Sequence, residues 1–91
     1  MRATRHFLIS GRVQGVGFRW FAVDAAKREG LVGHVRNLPD GRVEAVAEGE
    51  ADSLTRFEAA LRRGPSRSRV EHVQIAEIEP LGGGDGFTIS G

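Results

Sequence analysis

Hydrophobic periods along the 91 residues run strand, helix, strand, strand, helix, strand, with a short strand at the end. That order predicts an α+β fold, the ferredoxin-like split βαβ sandwich: one antiparallel sheet with two helices on one face. Three observations carry the prediction. Residues alternate in polarity from Arg5 to Val13, two helix-period apolar stripes follow at Phe18 and Leu54, and an Asp-Gly turn joins the two middle strands. Each helix has one stripe to bury and a chain this short builds one core, so both helices must share a face. We expect a single domain over residues 1–91, without repeats or linkers.

In the first strand Phe7, Ile9 and Val13 face one side and His6, Ser10 and Arg12 the other, with Leu8 as the exception. After a glycine-rich segment, Phe18, Phe21, Ala22, Ala25 and Ala26 recur at helical spacing, and Gly30 stands at the stop, preceded by Lys27 and Arg28 at the negative end of the dipole. Residues 32–37 and 42–48 flank Leu38-Pro39-Asp40-Gly41, in which proline presets one torsion and Asp-Gly tolerates another, so they form a β-hairpin. Asp52 or Ser53 is expected to cap a second helix striped by Leu54, Phe57 and Leu61 and ended by Gly64-Pro65. Val70 to Ile78 reads as the fourth strand, Gly82 to Gly86 as a mobile turn, and the FTIS that follows as a small edge strand.

Composition closes several routes. With no cysteine there is no disulfide, thiolate nucleophile or thiolate metal site, and His6, His34 and His72 lack the close spacing of a local zinc motif. We expect no metal and no cofactor. No apolar run approaches a membrane span, and the basic start is interrupted too soon for a secretory leader, so a cytoplasmic protein without a membrane partner is expected.

Residues 11–19, GRVQGVGFR, carry little side chain just before a helix. The dinucleotide fingerprint fails because Trp20 stands where its third glycine belongs, and the P-loop fails because no Lys-Ser or Lys-Thr follows. A strand-to-helix anion nest survives. Gly15 and Gly17 permit the torsions, the helix start adds its positive end, and Arg19 brings a planar fork of donors. The plain alternative is a turn beside a solvated arginine. Trp20 lies off the apolar stripe, either beside this loop or covering the helix.

Together with GHVRNLPDGRVEA at residues 33–45 and the Val70, Val73, Ile75 pattern, GRVQGVGFR resembles the acylphosphatases, small hydrolases of carboxyl-phosphate anhydrides. The likeness spans nearly the whole chain. It implies that Gln14, Gly15, Val16, Gly17, Phe18 and Arg19 bind the substrate phosphate, and that catalysis rests on Arg19 and on Asn37, which positions the attacking water. It further implies a monomer acting on small acyl phosphates, with inorganic phosphate as a product and no cofactor. His34 departs from the family, in which an aromatic residue is common there.

Such chemistry needs few groups. A carboxylate whose acid has a pKa of about 4 leaves without a proton, so stabilising the phosphoryl oxygens and orienting a water are what remain. Two other uses of the fold compete. A nucleic-acid module displays aromatics on its central strands, whereas Phe7 belongs to the core side, residues 42–48 have no aromatic and the net charge is only +1, so no nucleic-acid partner is expected. A phosphate-binding carrier domain would keep the nest without turnover.

Overall fold

The computed structural model describes every residue except Gly83 and Gly91, so the turn expected over Gly82 to Gly86 falls partly outside the described residues. The elements are β1 (Arg2–Arg12), α1 (Phe18–Arg28), β2 (Val32–Asn37), β3 (Val43–Glu50), α2 (Ala51–Arg63), β4 (Arg69–Glu77) and β5 (Phe87–Ile89). They form a five-stranded sheet in the order β4-β1-β3-β2-β5, the ferredoxin-like arrangement with an added edge strand.

One feature of the expected sheet is corrected. It is mixed rather than antiparallel, because β5 pairs with β2 in parallel, Gly33 beside Phe87 and Val35 beside Ile89. The short strand is held by Phe87, which is buried against Phe57 with ring centroids 5.7 Å apart. Phe57 also meets Phe7 edge-on at 5.4 Å, so one α2 ring joins the centre of the sheet to its edge. Such aromatic pairs add about 0.5–1.5 kcal/mol beyond area burial.

Register sorts the faces. Phe7 opposes Ala45 and Ile9 opposes Val43 across β1 and β3, and Val35 opposes Ala45 across β2 and β3. All five are fully buried under the helices. The small side chains of Ala45 and Ala47 on β3 leave room for Leu54, Phe57 and Leu61 of α2 and for Phe18, Ala22 and Ala26 of α1. His6, Leu8, Glu44, Val46, His34 and Arg36 lie on the other face, which no helix covers. None of the phenylalanines, nor Trp20, lies there.

The helix ends differ from each other. Helix α1 closes as expected at Gly30, with φ of 68°, its N–H donating to Lys27 O and that of Leu31 donating to Ala26 O, a Schellman closure. At α2 the expected side-chain cap is absent. Strand β3 runs directly into the helix, Glu50 holds the cap position without a side-chain bond, and the Ala51 N–H donates instead to Met1 O at 2.8 Å. Asp52 is then the acid of the first turn and Ser53 lies within the helix. Strand β1 also starts earlier than the polarity alternation implied, at Arg2, and ends before Val13.

Candidate active site

Strand β1 delivers the chain to the site and α1 carries it away. Between them Gly15 and Gly17 have φ of 74° and 77°, the left-handed region, and a Cβ at either would meet nothing within 4 Å. Glycine is required there by torsion rather than by crowding. Gly17 is the N-cap of α1, with no side-chain cap and no acidic residue in the first turn. The N–H groups of Gly17, Phe18, Arg19 and Trp20 therefore have no intrahelical partner, and the positive end of the dipole meets no carboxylate.

Asn37 arrives from the other direction. It ends β2 opposite Val43, which in turn opposes Ile9, so Asn37 sits on the helix side of the sheet at the end where β1 finishes. Its Oδ1 is buried and accepts no hydrogen bond from the protein. A buried acceptor left in this way costs about 1–3 kcal/mol.

The two halves meet at a cavity of about 170 Å³ lined by Gly15, Gly17, Phe18, Arg19 and Asn37, with Val13 and Trp20 completing the walls. Of the residues singled out from sequence, Gln14 and Val16 are not among the lining. Val16 is buried in the core. The Gln14 side-chain amide is committed elsewhere, with Nε2 donating to Leu38 O at 2.8 Å and to Arg42 O at 3.0 Å. It straps the glycine loop to the hairpin turn immediately after Asn37. That turn is further fixed by Leu38 N–H to Arg42 O and by Asp40, which accepts from the Arg42 backbone and side chain; this hydrogen-bonded guanidinium holds the Asp40 carboxyl below its ordinary range.

Charge singles out this cavity. A larger depression of about 460 Å³ near the start of β1 contains Arg2 and Arg5, but Glu48 and Glu77 lie 3.6 and 3.4 Å from them and offset their charge. Arg36 and Arg42 are likewise paired, with Glu44 and Asp40. Among the described residues Arg19 forms no ion pair, leaving one unbalanced guanidinium beside four free N–H donors. The arrangement suits an anion with several oxygens. Among the described residues no group of three His, Cys, Asp or Glu is placed to hold a metal.

Val13 was not identified as a site residue from sequence, where it reads as one more core position of its strand; of the two places open to Trp20, beside the loop or covering the helix, the structure shows the first. His34 lies half-buried on the open face opposite Val46, away from the cavity, so its departure from the family pattern leaves the site untouched.

Comparison with known proteins gives the family. The family described as Acylphosphatase matches residues 5–89. The acylphosphatase of Koribacter versatilis is 47% identical over 97% of this chain and 80% of its own length, and that of Pseudomonas paraeruginosa is 49% identical over 97% and 96%. The crystal structure of acylphosphatase from Bacillus subtilis superposes with a TM-score of 0.93 at 39% identity, covering 99% of both chains. The chain belongs to the acylphosphatase family, hydrolases that act on acid anhydrides.

Proposed function

We propose that the cavity between the β1–α1 loop and Asn37 is where the chain hydrolyses acyl phosphates, by direct attack of water on phosphorus. The phosphoryl oxygens are held by the N–H groups of the loop and of the first turn of α1 and by the Arg19 guanidinium. Gly15, Gly17 and Phe18 shape that cradle, and Gln14 and Val16 hold it in place. Asn37 uses Oδ1 to accept from the attacking water. The water oxygen forms the new bond to phosphorus and the bond to the acyl oxygen breaks. Its electron pair leaves on the carboxylate, and both water protons stay with the phosphate. The leaving group needs no acid, because its conjugate acid has a pKa of about 4.

The single observation that carries this reading is the orphaned Asn37 Oδ1 in the wall of the cavity that contains the unpaired Arg19. A water donating to that oxygen removes its desolvation cost and stands beside the bound phosphoryl group, where proximity alone contributes much of the acceleration. We further propose that residues 1–91 work as one domain and as a monomer, in the cytoplasm, where a cysteine-free chain has nothing to gain from oxidising conditions.

Steady-state hydrolysis of benzoyl phosphate tests the roles. Wild type turns over in the presence of a chelator, whereas Arg19→Ala and Asn37→Ala each lose about 10²–10³-fold in kcat/KM, the usual effect of removing one preorganised donor or orienting group. The two variants differ in product inhibition: Arg19→Ala weakens competition by inorganic phosphate and Asn37→Ala leaves it close to wild type. A folded wild type without turnover would refute the reading.

A further inference from the structure

Among the described residues the large apolar side chains most open to solvent are Met1, Trp20, Ile78 and Leu81. Met1 is tied to Glu50, the Ile78 N–H to Thr4 O and the Leu81 N–H to Glu48, all at the other end of the sheet. Trp20 alone of the four stands at the cavity, where it is 68% exposed. It is the third residue of α1, and long side chains on a helix lean toward the helix N-terminus, which here is the anion cradle. Core packing does not account for it: Phe18, Ala22, Val23, Ala25 and Ala26 are the buried residues of α1, and Trp20 is not among them.

Size decides what an exposed indole at this rim is for. The cavity holds about 170 Å³, below the roughly 300–1,000 Å³ of sites that enclose a whole small ligand. A phosphoryl group held by the cradle therefore projects its acyl group out past the rim. We propose that Trp20 is the seat of that acyl group and that it makes aromatic and bulky apolar acyl phosphates better substrates than acetyl phosphate. The inference rests on the acyl-phosphate reading of the same cavity and adds a substrate class to it. An apolar acyl group laid on the indole covers two exposed apolar surfaces at once, while an acetyl group is too short to cover more than the edge.

The test compares kcat/KM for benzoyl phosphate and acetyl phosphate in wild type, Trp20→Ala and Trp20→Phe. Trp20→Ala lowers the benzoyl-to-acetyl ratio about tenfold, or ~1.4 kcal/mol, mainly through KM, and Trp20→Phe restores most of it. Trp20 is the one tryptophan of the chain, so its emission gives a readout independent of turnover. In wild type, phenylphosphonate shifts that emission more than methylphosphonate does. A ratio within twofold of wild type in folded, active Trp20→Ala overturns the proposal. Should Trp20→Ala fail to fold, equal emission changes with the two phosphonates overturn it. Wild type that hydrolyses neither acyl phosphate removes the underlying reading and this inference with it. Active wild type with an unchanged ratio removes only the role of Trp20.

Discussion

At Gly17 an added Cβ has open space around it, yet the φ of 77° keeps every L side chain at a disadvantage of about 1–2 kcal/mol. Gly17→Ala therefore separates stability from function. Urea unfolding should show a loss of about that size, while benzoyl phosphate turnover falls by about 10²-fold because the N–H groups of the cradle are turned aside. Arginine at position 19 is equally specific. Arg19→Lys keeps the charge and loses the planar fork, so affinity for inorganic phosphate, read by competition, falls about tenfold or more. That Arg19 and Asn37 stand together was legible from the family resemblance, and both line the cavity. The neighbours were less so. Val13 carries the same apolar signature whether it lines a core or a cavity, and nothing in one sequence tells which.

Among the elements, the β1–α1 loop and the β2–β3 hairpin are separate in sequence and must be held in one geometry for the site to exist. Gln14 makes that connection with two bonds from a single amide. Leu38 O and Arg42 O each accept a second, backbone bond, from Gly41 and Leu38, so removing the strap leaves neither carbonyl orphaned. Gln14→Ala should thus cost only about 1 kcal/mol in urea unfolding. Its larger effect is on kcat, about tenfold, with inhibition by phosphate changed less, because Asn37 is set free relative to the cradle. Gln14→Glu does not rescue, since a carboxylate cannot donate to the two carbonyls. The resemblance placed Gln14 among the phosphate-binding residues; that its amide instead reaches Leu38 O and Arg42 O depends on the hairpin being folded beside it. The missing cap on α2 has a similar origin. Asp52 and Ser53 are good cap residues, but β3 continues to Glu50 and leaves them inside the helix, where the Met1 carbonyl takes the first N–H.

Across the whole molecule, the cavity that holds Arg19 and Asn37 lies on the helix side of the sheet and much of the charge pairing on the other. Glu44 accepts from His6 Nε2 at 2.8 Å and Arg36 Nε at 2.6 Å on the open face, and these bonds, that to His6 first, hold its carboxyl below the ordinary value of 4.5. A depressed carboxyl stabilises the fold above its unfolded pKa, and that contribution is lost as pH falls through the folded value. The urea midpoint should accordingly decline as the solution is acidified below about pH 4.5, and Glu44→Gln should flatten that decline without altering turnover at neutral pH. The order of elements, the shared helix face and the core were legible at this scale because periodicity reports burial directly. The parallel β5 was not: three residues set no direction, and their partner is chosen by Phe87 reaching Phe57 across the core.

The central claim, water attacking phosphorus in a cradle built from backbone donors, Arg19 and Asn37, is tested most directly by hydrolysing benzoyl phosphate in oxygen-18 water and finding which product carries the label. The account predicts label in the inorganic phosphate and unlabelled benzoate. Label in the benzoate would mean attack at the carbonyl carbon, and would contradict it.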